Sequence, residues 1–481
     1  MRLTESIPAM QTVHFFAAFV AALVCVEVTK GDDCPNMIFV MSDDQGWGDV
    51  AYNGHPILKT PNLDEMASSG ICFDRFYAGA SVCSPTRATC LTGRNNWRMG
   101  INGPLAADEG HLPRSEITLA EVLAEHGYAT GHFGKWHVGG FDADTAGAHV
   151  MPPWHAGFQE CFSTHNVLRT FNPYKKLGKG GIKACYWHNG RNIPLSEAQQ
   201  DTTLHGDDAA IVMTKAITFI QQQQQSNKPF LAFIWFHNVH TPLGKNPDLM
   251  ALYSGCNEQE QIYFSNITAI DSQIGRLRTT LRECDLADNT MLWFTSDNGP
   301  NLKGKKNPKS GVAQDGKFVY TALGSTGAYR GWKRDCYEGG LRVPGILEWP
   351  DGIKESRHTD FPAVTSDYFP TALAAAGLPL PDDRTYDGIN LLPIIEQENN
   401  FLRPPIGFHC NGMEAWTSTP YKIVRSLKNK KNENLDWELY NLVEDPFEEH
   451  NLAGSKPELV ERMAEEFNEW AAAIQSEHRK N

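Results

Sequence analysis

MIFVMSDD, Met37 to Asp44, closes five apolar residues on a serine and two aspartates. The run is short for a helix and too unbroken for a strand with one wet face. A strand buried on both faces fits it, as in a parallel sheet. Three further segments repeat the pattern. GYATGHF (Gly127 to Phe133) leads into Lys135 and His137, PFLAFIWF (Pro229 to Phe236) into His237 and His240, and MLWFT (Met291 to Thr295) into Asp297 and Asn298. Helical patterns lie between them: ITLAEVLAEHG, DDAAIVMTKAITFI and ITAIDSQIGRLRTTLREC. This alternation predicts an α/β fold, a large mixed and mostly parallel sheet with helices on both faces. Ligands of such sheets bind beyond the carboxyl ends of the strands. All four polar clusters occupy that position and should meet in one cleft.

Outside this frame, YKIVRSLK (Tyr421 to Lys428) and WELYNL (Trp437 to Leu442) alternate enough to be antiparallel strands, and a last helix is expected over residues 457–476. These mark a smaller α+β domain at residues 401–481, packed on a catalytic domain at 31–400. The first 30 residues hold FFAAFVAALVCV (Phe15 to Val26), too short to cross a bilayer and suited to a cleaved signal peptide. No second apolar run reaches spanning length, so an exported protein is expected: secreted, periplasmic or lysosomal. With 481 residues, 41% hydrophobic and 21% charged, the chain has an ordinary globular composition. Its net charge of −14 argues against a nucleic-acid binder, which needs a basic face. None of the 11 cysteines forms a CxxC pair, which argues against a structural zinc site of that kind. An oxidising compartment permits disulfides, whose pairing the sequence leaves open.

SVCSPTRATCLTGR (Ser81 to Arg94) fits the same cleft. Pro85 suits the first position of a helix, which puts Cys83 just ahead of a helix N-terminus, where orphan N–H groups favour an anion and normally acidify a thiol. Arg87 lies one turn on. Phosphatase loops place five residues between cysteine and arginine, and here there are three. A Walker loop ahead of Lys135 fails at Ala129 and Trp136, and neither HExxH nor GxSxG occurs.

CSPTRATCLTGR resembles the signature of the type I sulfatases of the alkaline phosphatase superfamily. Five other segments resemble that family in order: MSDDQGWGD, GYATGHFGKWHVG, FHNVHTPL, TSDNGP and YRGWKRDCYEGGLRVPG, with WELYNLVEDPFEEHNLA near the end. The resemblance implies an alkaline-phosphatase-like sheet and a sulfuric ester hydrolase acting on a sulfated carbohydrate or aryl sulfate. It implies that a formylglycine-generating enzyme converts Cys83 to formylglycine. Thr86 departs mildly from the signature, where serine or alanine is commoner. It also implies a metal held by Asp43, Asp44, Asp297, Asn298 and residue 83. Hard oxygen donors suit calcium, with magnesium as an alternative. Arg87, Lys135, His137, His240 and Lys333 are implied as the other catalytic residues.

Two rival functions stay open: a phosphonate or phosphate ester hydrolase of the same superfamily, and a non-catalytic sulfoglycan-binding relative. Arg94 reads as a helix support, and His155 as structural. His237 is as readily a structural histidine as a pocket residue. Trp187 to Gly190 is a loop or a sugar subsite. Basic residues from Lys303 to Arg334 form a solvated loop or a rim that steers a polyanion. Asn266-Ile267-Thr268 is a glycosylation sequon.

Overall fold

In a computed structural model, residues 34–174, 186–302, 319–321, 324–397, 401–428 and 436–478 are described. The expected signal segment and Lys303 to Lys317 lie outside them. The central sheet is built from β1 (Asn36–Ser42), β2 (Ile71–Phe73), β3 (Ala129–Lys135), β4 (Glu160–Thr164), β5 (Trp187–His188), β6 (Arg191–Asn192), β7 (Phe230–Trp235), β8 (Thr290–Ser296), β9 (Gly345–Glu348) and β10 (Arg357–Thr359). Their spatial order is β10-β2-β9-β8-β1-β7-β3-β4-β5-β6. The five strands β8-β1-β7-β3-β4 are parallel. The sheet turns antiparallel at β9 on one side and at β5 on the other. The four strands read from the apolar runs are neighbours, which brings their carboxyl ends together.

The unbroken hydrophobicity of β1 has a direct cause. Met37, Phe39 and Met41 enter one buried cluster, and Ile38 and Val40 enter another on the opposite face. Helices α1 (Pro61–Ser69), α2 (Cys83–Thr92), α3 (Leu119–Glu125), α4 (Asp208–Gln225), α5 (Glu258–Glu283) and α6 (Tyr368–Ala375) divide between the faces. Leu91 of α2, Leu123 of α3 and Phe369 of α6 pack on the first face, and Leu63 of α1, Ile211 of α4 and Ile270 of α5 on the second. Helix α3 is started by a capping box between Thr118 and Glu121. A second box, Asn257 with Glu260, starts α5 nine residues ahead of the apolar period.

The C-terminal region holds a four-stranded antiparallel sheet, β11 (Ile406–Cys410), β12 (Met413–Ser418), β13 (Tyr421–Ser426) and β14 (Glu438–Asn441), in chain order. One face, with Phe408 and Val424, joins Tyr77, Val82 and Leu341 of the large unit. The other, with Trp416 and Ile423, carries Phe467 of helix α7 (Pro457–His478). The residues from Cys34 onward cluster as one compact unit. Among the described residues no helix is long and apolar enough to cross a membrane. All nine described cysteines are free thiols.

Candidate active site

Strand ends position most of the site. Asp43 and Asp44 follow β1, Lys135 ends β3, His240 follows β7, and Asp297 and Asn298 follow β8. Asp44 and His137 sit in the left-handed region, at φ 63° and 61°. That backbone costs energy for a non-glycine residue and turns each side chain back across the sheet edge. Helix α2 supplies Cys83 and Arg87. It begins at Cys83 itself, so Pro85 is its third residue, where a missing N–H still leaves no bond unmade. All ten residues of α2 are buried.

The charged groups interlock. Arg87 Nη2 lies 2.7 Å from Asp297 Oδ2 and 3.9 Å from Asp43 Oδ2, while its Nη1 donates to the Lys135 carbonyl at 2.8 Å. Its guanidinium stands 5.0 Å from the Trp235 ring. Lys135 Nζ meets Asp43 Oδ2 at 2.5 Å, and Lys333 Nζ meets Asp44 Oδ1 at 2.5 Å. Asn298 Nδ2 also donates to Asp44 Oδ1, at 2.7 Å. His240 Nε2 is 3.7 Å from Asp44 Oδ2. Asp43, Asp44 and His240 each place a donor atom within 4.8 Å of the others. Nine of the ten residues proposed from sequence, all but His137, thus form one continuous cluster, in which the Cys83 thiol feels Lys135, Lys333, Asp297 and Asp43.

Two acceptors in this cluster lack a partner. Asp43 Oδ1 and Asn298 Oδ1 are buried with no hydrogen bond, an arrangement that ordinarily costs about 1–3 kcal/mol each. Three carboxylates and an amide oxygen with unused lone pairs make a donor set that fits a hard divalent cation.

The pKa shifts separate the carboxylates. Burial alone would raise Asp43, but Lys135, His240, Arg87 and Lys333 outweigh it and hold it well below the usual range. Asp297 is pushed up to about 6 by burial and by the Asp43 charge, against Arg87 and Lys135. Burial and Lys135 hold His137 well below its ordinary value, so the ring is neutral. Its Nε2 lies 3.0 Å from the Leu105 carbonyl and must carry the proton there, which leaves Nδ1 as a bare acceptor, buried and unpartnered. Burial lowers His240 as well, against Asp43 and Asp44. The acidic thiol expected at the helix N-terminus is corrected. Burial dominates and raises Cys83, although Lys135 and Lys333 act the other way.

The remaining candidates separate cleanly. His237 is wholly buried, bonded to Asp208 at 2.7 Å and Thr164 at 2.6 Å, and so is structural. Arg94 pairs with Glu116 and Glu477 and ties α2 to α7. His155 is exposed in a short turn. Asn266 is buried in α5, donating to the Ile262 carbonyl and accepting from Asn238, so the sequon offers no place for a glycan. Arg330 is spent on Glu438 and Tyr440. Sequence reasoning missed His165, at the end of β4, whose Nε2 is buried and unpartnered and whose ring lies 6.1 Å from His137. Phe141 and then Trp187 continue this row of rings at 6.1 and 5.8 Å, so the Trp187 segment does connect with the site. No apolar period announces His165; it is legible only once β4 is known to lie beside β3.

A buried nest of cations and carboxylates with two unfilled oxygens, beyond a parallel sheet, is a site able to hold an oxyanion and a cation together. The comparisons narrow this capacity. The sulfatase family model matches residues 35–378, and the model of the N-sulphoglucosamine sulphohydrolase C-terminal region matches 327–473. Arylsulfatase G of Rattus norvegicus is 33% identical over 387 residues, covering 75% of this chain and 68% of that one. N-acetylgalactosamine-6-sulfatase of Sus scrofa is 33% identical over 412 residues, covering 82% and 72%. The solved structure of Ps i-CgsB in complex with k-i-k-neocarrahexaose superposes with a TM-score of 0.76 at 26% identity, over 91% of this chain and 92% of that one. The chain belongs to the sulfatase family, within the type I sulfatases of the alkaline phosphatase superfamily, and is a sulfuric ester hydrolase.

Proposed function

We propose that this hydrolase removes sulfate from a sulfated carbohydrate, using a formylglycine made from Cys83 and a divalent cation of the calcium class held by Asp43, Asp44, Asp297 and Asn298. The observation that carries the reading is the pair of orphan oxygens, Asp43 Oδ1 and Asn298 Oδ1, set beside Cys83 among three buried cations. Relatives named for N-acetylgalactosamine-6-sulfate and a neighbour solved with a carrageenan oligosaccharide support the substrate class.

The cation would neutralise charge on the bound sulfate, and the formylglycine hydrate would supply a nucleophilic hydroxyl and a second hydroxyl through which sulfate is released. The chain's own residues do the rest. Arg87 and Lys135 hold the residue-83 oxygens and the sulfate against the sheet edge. Asp297 receives the proton of the attacking hydroxyl. Lys333 and His240, the latter partly exposed toward the opening, bind sulfate oxygens and together protonate the departing alcohol. His137, neutral with Nδ1 bare, takes the proton whose loss regenerates the resting group. Because all of α2 is buried, the converting enzyme has to reach Cys83 before the chain folds. The reading includes an N-terminal signal peptide over residues 1–30, export, and a catalytic domain ending near residue 400.

The test is peptide mass spectrometry at position 83 together with metal analysis and a desulfation assay on defined sulfated sugars. An aldehyde at 83, one tightly held ion of the calcium class and sulfate release are expected. An active enzyme with an intact thiol at 83 would refute the proposal.

A further inference from the structure

A cluster of unlike donors lies well outside the active site, at the far edge of the central sheet. Strands β2 and β10 run parallel there, with His358 directly opposite Cys72 in register. Asp74 is two residues beyond Cys72, which returns it to the same face of the pleat. The Cys72 sulfur, an Asp74 carboxylate oxygen and a His358 ring nitrogen all lie within 4.8 Å of one another. His358 Nδ1 and Asp74 Oδ1 are already 2.9 Å apart. A fourth group faces them. The Tyr52 hydroxyl is buried without a hydrogen-bond partner, and it feels the charges of Cys72, Asp64 and Asp74.

We propose that Cys72, Asp74 and His358 form a second metal site, thiolate-containing, that takes zinc or a similarly soft divalent ion. Sulfur, imidazole and carboxylate are the donors zinc accepts, whereas calcium takes oxygen only, so this site and the active site select different ions. A tetrahedral ion with bonds of roughly 2.0–2.3 Å draws its donors closer than 4.8 Å, a small closing movement for side chains on adjacent strands. His358 and Asp74 are open to solvent and give the ion its path in, with Cys72 beneath them. The Tyr52 hydroxyl is placed to receive a hydrogen bond from a water on the ion or to complete its shell. The site would clip the three-residue terminal strand β10 to the sheet. Burial and Asp74 push the Cys72 thiol up to about 12. Binding displaces the thiol proton to solvent.

The probe is Co²⁺, added to the mature, calcium-saturated enzyme. One equivalent is expected to bring up a thiolate-to-cobalt absorption band that Zn²⁺ abolishes by competition. His358→Ala, an exposed position, should weaken Co²⁺ binding more than about a hundredfold, beyond what loss of an outer-shell partner produces, and leave sulfatase activity unchanged. Cys72→Ser should remove the band while the fold, followed by circular dichroism, persists. Because Cys72 is buried, the His358→Ala result decides if the serine variant fails to fold. A thiolate band of undiminished affinity in His358→Ala, or no band at stoichiometric Co²⁺, overturns the proposal.

Discussion

Two buried charge clusters in this molecule use the same residue types and differ in one respect. In the C-terminal cluster, Lys422 lies between Glu338 at 2.9 Å and Glu448 at 2.8 Å, and all three are buried. Arg342 closes on the second oxygen of Glu338 at 2.6 Å, and the Glu338 amide donates to the second oxygen of Glu448 at 2.7 Å. Every carboxylate oxygen meets a cation or an amide, although Glu448 Oε1 makes only its ion pair with Lys422 and no hydrogen bond. In the active-site cluster the cations are as close, yet Asp43 Oδ1 and Asn298 Oδ1 are left over. A closed network holds strand β13 against the large unit, while an open one keeps coordination capacity in reserve at an energetic cost. Two acceptors with neither a hydrogen bond nor an ion pair, and not buried charge as such, set this cluster apart from the closed one.

That contrast can be broken from either side. The largest effect is expected at residue 83. Cys83→Ser, measured by single-turnover and steady-state sulfate release, should lose at least ~10³-fold in kcat with the melting temperature nearly unchanged. His137→Ala removes the bare Nδ1 and should cost roughly 10²–10⁴-fold in kcat, again without loss of fold. Lys422→Met should do the reverse. It strands two buried carboxylates and should cost roughly 3–5 kcal/mol in chemical denaturation, while kcat per folded molecule holds. Stripping divalent ions should lower stability by about 2.7 kcal/mol relative to protein at a hundred times the dissociation constant of Ca²⁺, and should do so equally in wild type and Lys422→Met.

The smallest effect concerns pH. Burial raises Glu448 to about 7, with Lys422 opposing and Glu338 reinforcing the shift, while Glu338 itself is held near 2. A carboxyl with a raised folded pKa contributes stability that is complete below its unfolded value and is lost as pH rises toward the folded one. The stability advantage of wild type over Glu448→Gln should therefore shrink between about pH 4.5 and pH 7 and level off above it. An advantage that stays level across that window would mean Glu448 is already ionised in the fold at the acid end.

How much of this was legible beforehand follows from how local the signals are. Strands β1, β3, β7 and β8 announce themselves because burial on both faces leaves no polar residue to interrupt them, and their order as neighbours turns four separate polar tails into one site. Asp43, Asp44, Lys135, His240, Asp297 and Asn298 were readable for that reason. Strands β11 and β12 were not. IGFHC and MEAWTS mix polar and apolar residues on faces set by Phe467 and by Tyr77, both distant in sequence. The Glu338–Lys422–Glu448 cluster joins residues 84 and 110 positions apart and has no local mark. Cys83 does lie at a helix start, but the acidic thiol expected there is overturned, because dipole arguments are local and burial is a property of the whole fold.

The central claim is that an oxidised residue 83 works against the cation site of Asp43, Asp44, Asp297 and Asn298. Its most direct test is the mass of the peptide carrying position 83, taken from protein of measured specific activity. The account predicts that activity scales with the fraction of residue 83 whose sulfur has been replaced by an aldehyde oxygen. Full activity from a preparation holding only the thiol would contradict it.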